Sequence, residues 1–253
     1  MIAFHGDVSI KASLHTELRA GRARGEFVSR GRGGIRSHLL SPDPVIAGLV
    51  QERREQTYGL YQDRLGIPAV LAAVYELLYE WLPRDANEDW PIQFAEAIPV
   101  GADLSLVWPR LAIWLLTDAA QGLARHAADG VRETISRVAS LYQLTIDGAR
   151  PPDRLWLDAH LAAGMRAEEA AAEAAHWAAE SVRDAAAAAV HWAMPRHGLA
   201  AAAEAAKRAA WAGHHCDDHP YLTALRDKLR ELLAAAPAAA APDRPTVDLS
   251  TLC

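Results

Sequence analysis

From Arg166 to Met194 the chain is almost wholly Ala, Glu, Arg and Asp, with single aromatic residues set into it. Alanine loses no side-chain entropy in a helix and has the best intrinsic helix propensity. The tract therefore predicts one continuous helix of about 43 Å at 1.5 Å per residue. His-Trp-Ala occurs twice in it, at His176-Trp177-Ala178 and His191-Trp192-Ala193. The step between the two returns to within about 60° of the same helix face. Alanine faces let helices approach closely, and the indoles fill the gaps that small residues leave. The pattern predicts a tight helix–helix seam carried by Trp177, Trp192 and Trp211, within the chain or in an oligomer.

The rest of the C-terminal half is also helical in pattern. Arg154–Leu161 reads as a short helix, and Pro195 and Gly198 as the end of the long one. Leu199–Ala212 is a further Ala-rich helix with Trp211 near its end and Gly213 as a stop. Asp217 or Asp218 is placed to cap a last helix, whose buried face is Leu222, Leu225, Leu229 and Leu232. Residues 236–253 are Pro/Ala-rich and are expected to form a disordered tail. Asp147-Gly148 through Pro151-Pro152 marks the boundary between an N-terminal helical domain (1–150) and this Ala-rich half (151–235).

In the N-terminal half, Asp7 is placed to cap a helix that carries Ile10, Leu14 and Leu18 on one face and stops at Gly21. Residues 21–42 are rich in Gly and Arg, lack periodicity and read as a loop. Asp43-Pro44 starts a second helix that Gly66 closes after Leu65. Pro68 opens a third, with Ile67, Leu71, Val74, Leu78 and Trp81 at steps of four and three. Val70, Leu77 and Leu82 widen its apolar face, which implies contacts on two sides. Asn87 is expected to cap the next helix, along which Trp90, Phe94 and Ile98 are four apart. Pro99-Val100-Gly101 reads as a turn, and Asp103 as an acceptor for the free N–H groups of a short helical turn. Pro109 suits the first position of a central helix, with Leu111, Trp114 and Leu115 on the face of Trp108. Asp129-Gly130 precedes a helix with Val131, Ile135, Val138 and Tyr142 on one side. No stretch reads as a sheet, so the expected fold class is all-α: a multi-helix bundle with an Ala-rich long-helix C-terminal half.

The run AIPVGADLSLVWPRLAIWLL, ending at Leu116, is similar to a segment of uncharacterised phage- and prophage-type bacterial proteins. FHGDVSIK at Phe4–Lys11 and LGIPAVLA at Leu65–Ala72 resemble the same family. The resemblance covers roughly residues 1–118 closely and the Ala-rich half in composition. It implies kinship with mobile-element proteins and carries no activity. Relatives hold a Gly/Cys stretch of the form GKGCAVGC after the first helix. The comparable stretch here, Gly31 to His38, has no cysteine, so thiol or metal chemistry is not expected of it.

The charge tally is 26 basic against 32 acidic residues, a net of −6. That mild excess argues against wholesale coating of nucleic acid and suits a cytoplasmic protein. Two cysteines, Cys216 and Cys253, are too few for a disulfide framework. The N-terminus lacks the basic start and apolar run of a secretory signal. No apolar run is long enough to span a membrane.

Candidate chemistry is sparse. His5-Gly6-Asp7 offers a His–Asp pair that could orient an imidazole for acid–base work, but no nucleophile or phosphate loop accompanies it. A cap is the simpler role for Asp7. His214, His215, Cys216, Asp217, Asp218 and His219 form the densest set of metal-ligand types. They are consecutive, so their side chains fan out rather than converge; a dipole and capping role is the structural alternative. Arg22, Arg24, Arg30 and Arg32 could contact phosphates without sequence selectivity, or simply face water. No P-loop, dinucleotide-binding glycine pattern, HExxH, CxxC pair or GxSxG is present, so no cofactor is expected. The leading expectation is a non-enzymatic interaction protein, accessory or regulatory, with a protein partner or a second copy and with neither membrane nor nucleic acid as the expected partner. The alternatives are a metal-binding protein or enzyme using the His5/Asp7 end or the 214–219 cluster, and a weak nucleic-acid binder.

Overall fold

The computed structural model describes residues 1–25, 52–170, 173–189, 195–213 and 219–240. The helix-only fold expected from the pattern is what these residues form. The elements are α1 (Val8–Ala23), α2 (Glu52–Leu65), α3 (Ala69–Trp81), α4 (Arg84–Asn87), α5 (Trp90–Ala97) and α6 (Val107–Thr117). After them come α7 (Asp129–Ile146), α8 (Asp153–Glu169), α9 (Glu173–Ala189), α10 (Pro195–Gly213) and α11 (His219–Ala234). Short 3-10 turns lie at Ala3–Gly6 and Leu123–Arg125. Among the described residues the only strand-like pairing is two isolated bridges, Ile2 with Asp103 and Ala102 with Ala238.

α3 sits at the centre. Leu71, Ala72, Ala73, Val74 and Leu78 are fully buried, and α2, α5, α6, α10 and α11 pack around them. A helix apolar on all sides has to be enclosed on all sides. Trp90 stacks on Tyr75 at 5.8 Å and donates its indole N–H to the Tyr75 carbonyl. Trp90, Phe94 and Ile98 are all fully buried, as their four-residue spacing requires. Asn87 is a correction: it caps nothing. It is fully buried at the end of α4 and donates to the Tyr79 carbonyl, while Asp89 precedes α5 without a side-chain cap. α1 also runs past Gly21, which is buried inside it, and ends at Ala23 ahead of Gly25 at φ +69°. The start assigned to the second helix, at Asp43-Pro44, lies outside the described residues.

α6 starts at Val107, so Pro109 is its third residue and not its first. All positions of a first turn lack an intrahelical N–H partner, so the proline is tolerated there too. On its buried side, Trp108 donates to the Tyr142 hydroxyl at 2.8 Å, and that hydroxyl donates to the Ala185 carbonyl at 2.5 Å. The Tyr142 ring also meets Trp156 edge-on at 4.7 Å. One phenol thereby joins α6, α7, α8 and α9. Tyr142→Phe is expected to lower stability by about 1–3 kcal/mol, because it leaves the buried indole N–H unsatisfied. Thermal melts of the two proteins, compared at equal helicity, check this.

The single long Ala-rich helix is not formed. α8 extends beyond Leu161 to Glu169, Ala170 leaves the helix at φ −72°, ψ 114°, and α9 runs from Glu173 to Ala189 as a separate helix. Folding back lets α8 and α9 bury alanine faces against each other. Ala159, Ala163 and Ala167 of α8 and Ala178, Ala179 and Ala186 of α9 are all buried, and the two helices pack along each other. A straight rod would leave those methyl groups in water. The His176 ring N–H donates to the Ala167 carbonyl at 2.9 Å and closes the end of α8. Pro195 is the first residue of α10 and Gly198 lies inside it, so neither is a terminator. α9 and α10 pack along Ala201, Ala202, Ala205, Ala206 and Ala209.

The buried core runs unbroken from Ala3 to Ala236 and includes residues on both sides of the Asp147–Pro152 turn. The tail, expected to be disordered from residue 236, begins as ordered chain. Residues 235–240 are ordered on the Gly101 loop: Asp103 N–H donates to the Pro237 carbonyl at 2.7 Å, and Ala239 N–H to the Gly101 carbonyl at 2.9 Å. The rest of the tail lies outside the described residues.

Candidate functional site

Phe4, His5 and Gly6 have φ of 51°, 51° and 76°, three left-handed residues in succession. For an L-residue this conformation costs about 1–2 kcal/mol, and it persists only where its surroundings over-determine it. Here they do. Ala3 N–H donates to the Ala102 carbonyl and Gly101 N–H to the Ala3 carbonyl. Phe4 is fully buried, and the Met1 ammonium lies 3.0 Å from Asp103 Oδ1. Gly66, at φ +63°, lies directly against the Ile2 carbonyl. Residues 4–11, 65–72 and 98–106, far apart in the chain, meet at this one turn.

The turn carries its side chains in different directions. His5 is exposed, and its Nε2–H donates to the Asp63 carbonyl at 3.0 Å. Asp7 Oδ1 accepts Ser9 N–H at 2.7 Å and caps α1; hydrogen bonding from Ser9, its side chain first and then its backbone N–H, holds the carboxyl below the ordinary range. Among the described residues no hydrogen bond joins His5 to Asp7, so they do not form an acid–base pair. Lys11 donates to the carbonyls of Ile98 at 2.6 Å and Glu96 at 3.2 Å, which closes the C-terminus of α5. Burial lowers its pKa, with Glu96 pulling the other way. Burial also raises Asp103, but the Ser105 N–H and the terminal ammonium outweigh it and leave this carboxyl below its usual range. What the arrangement offers is one imidazole, fixed at Nε2 and held outward by a strained backbone. If strain sets its direction, His5→Gly should stay within about 1 kcal/mol of the parent, and His5→Val should lose about 2 kcal/mol, since a branched residue resists positive φ. Equal melting temperatures for the two variants would show that the turn relaxes freely.

The other candidates lie elsewhere. His214, His215, Cys216, Asp217 and Asp218 are outside the described residues, as is the side chain of His219. Among the described residues no group of three or more His, Cys, Asp or Glu could hold a metal ion. Arg22 is paired with Glu88 at 3.0 Å and Asp89 at 2.9 Å, which neutralises it locally. Arg24 follows α1 and its N–H donates to Ala20; Arg30 and Arg32 are outside the described residues. Trp177 and Trp211 meet edge-on at 4.7 Å inside the chain, with Trp81 at 6.3 Å from Trp211 and Lys207 Nζ 4.8 Å from its ring. Trp192 lies outside the described residues.

Two features escaped the sequence reading. Between α9 and α10, Arg208 lies 2.5 Å from Glu180 and 2.9 Å from Asp184, all three largely buried. The four-residue step from Glu180 to Asp184 was the available signal. The second is the outward face of α8. Leu161 and Met165 are 64% and 59% exposed, beside a depression of about 240 Å³ lined in part by Thr134, Ala162 and Arg166. The three-four spacing of that face was visible, but nothing local told which side of α8 would be covered.

No protein-family model, curated protein or solved structure matches this chain. The fold defines an all-α multi-helix bundle, and among the described residues no helix is long and apolar enough to cross a membrane.

Proposed function

We propose that this chain is a non-enzymatic accessory protein of the mobile-element kind that works in the cytoplasm through its surface. The observation that carries the reading is the α8 face, where two large apolar side chains, Leu161 and Met165, stand in water. Exposed apolar groups beside a groove with a polar rim are characteristic of interaction sites. Among the described residues the alanine faces of α8, α9 and α10 are buried within the chain and Trp177 and Trp211 pack on each other, whereas the α8 face pairs two large exposed apolar side chains. The resemblance read from residues 4–11, 65–72 and 97–116 to phage-type proteins is what suggests the mobile-element context. A photo-crosslinker at Leu161 is expected to give a defined protein adduct in cells, and the same group at exposed Arg150 none. Equal labelling at both positions would overturn the reading.

The strained Phe4–His5 turn favours a second reading, a metal-binding or acid–base role for His5. Stoichiometric zinc or iron in purified protein, lost in His5→Ala, would support it.

A further inference from the structure

We infer that the outward face of α8 pairs with the same face of a second copy, antiparallel, about a two-fold axis near Leu161. This rests on the interaction reading above and names the partner. Residues Arg154, Asp158, Leu161, Met165 and Glu168 recur at steps of four and three, and all five are exposed. They form one line along the helix, about 21 Å from Arg154 to Glu168. Its centre is apolar and its ends carry opposite charge.

That order is self-complementary. In an isologous pair residue i faces residue j, and j faces i. Arg154 and Glu168 are each seven residues from Leu161, so an axis there sets Arg154 opposite Glu168 of the second copy, twice over. Leu161 then meets Leu161 across the axis, with Met165 covering the gap beside it. Among the described residues neither Arg154 nor Glu168 has an ion-pair partner within its own chain, whereas Asp158 has Arg137 at 3.7 Å and Glu169 has Arg166 at 2.8 Å. The charge order also runs against the helix's own dipole, with Glu168 in the last turn, where acidic groups are disfavoured. The start of an antiparallel neighbour's α8 supplies a cation at that point.

The face is narrow, so the pair belongs to the weak end of protein interfaces. Sedimentation equilibrium on the full chain, over micromolar to millimolar concentration, is the test. The expected result is a monomer–dimer equilibrium that Leu161→Glu weakens by about tenfold or more. Arg154→Glu and Glu168→Arg should each weaken it, and the double swap should restore it, because the swapped ends again face opposite charge. Melting temperatures of the variants show that each is folded; all the changes are at exposed positions. Leu161→Cys, in a chain with Cys216→Ser and Cys253→Ser, should form a disulfide-linked dimer when oxidised glutathione is added as the two-electron oxidant. A chain that stays monomeric throughout, a dimer indifferent to the single charge reversals, or a double swap that fails to restore the dimer overturns the proposal. A monomer that still gives the Leu161 adduct with another protein would remove the second copy and leave the interaction reading standing.

Discussion

Gly66→Ala is expected to destabilise the protein by about 4 kcal/mol, the sum of two penalties. The first is conformational. Gly66 sits at φ +63°, where an L-residue is strained. The second is steric. A Cβ there would lie 2.0 Å from the Ile2 carbonyl oxygen and 3.1 Å from its carbon. Both are backbone atoms, and no rotamer can move them aside. Relief requires Ile2 to retreat, and with it go the bridge to Asp103 and the hydrogen bonds between Ala3 and residues 101–102. For a chain of this size that corresponds to a fall in melting temperature of roughly 8–16 °C. The control is Gly59→Ala in α2, where nothing lies within 4 Å of the new Cβ. There alanine should stabilise the helix by up to about 1 kcal/mol. If both variants melt together, the N-terminal turn does not press on the α2–α3 junction.

The second large effect belongs to Arg208. Glu180 and Asp184 have side chains only 12% and 13% exposed, and Arg208 lies against both. Arg208→Met would leave two carboxyl groups largely buried with less neutralising charge, at a cost of about 3–5 kcal/mol. Asp184 already shows the tension. Burial pushes its carboxyl up to about 7, against the pull of Arg208 and Arg183. Its Oδ2 and the Arg208 Nε both lack a hydrogen bond, so the pair is close but misaligned. In the unfolded chain Asp184 titrates near 3.8. Between that value and about 7 the folded protein holds a proton that the unfolded one has released. Stability from this group is therefore complete below about pH 4, falls as pH rises through the interval, and is lost above about 7. Asp184→Asn should be nearly neutral in mild acid and stabilising above neutrality. Melting temperatures of the parent and Asp184→Asn at pH 5 and pH 8 check the sign; a difference independent of pH would show that Asp184 is ionised throughout.

What the sequence displayed was whatever local chemistry decides. The apolar steps of α3, α7 and α11 foretold their buried faces, because a helix has one period and water is excluded from one side. Asp7, Gly66 and Gly101 were legible because capping and left-handed backbone need particular residue types. The break at Ala170 was not. Alanine favours one helix or two equally, and the choice is made by the methyl groups that α8 and α9 bury on each other. Phe4 gave no sign of positive φ, and His5 only the mild tolerance of it that histidines share with Asn and Asp; contacts from residues 66 and 101–102 impose it. The ordering of residues 235–240 was hidden for a related reason. Their Pro/Ala composition cannot build a core, yet backbone pairing with the Gly101 loop needs no side chain at all. At the candidate site, nearness in sequence misled. His5 and Asp7 are two residues apart and serve different partners, whereas Glu180 and Arg208 are distant in the chain and touch.

Both sides of the Gly101 loop are occupied by chain from opposite ends of the fold, residues 1–3 on one side and 237–239 on the other. A tension applied between those ends would reach this small clasp before the helices behind it. Its few backbone hydrogen bonds would load together and rupture first. Single-molecule stretching should therefore record an early, short-range yield, with the helical body still wound.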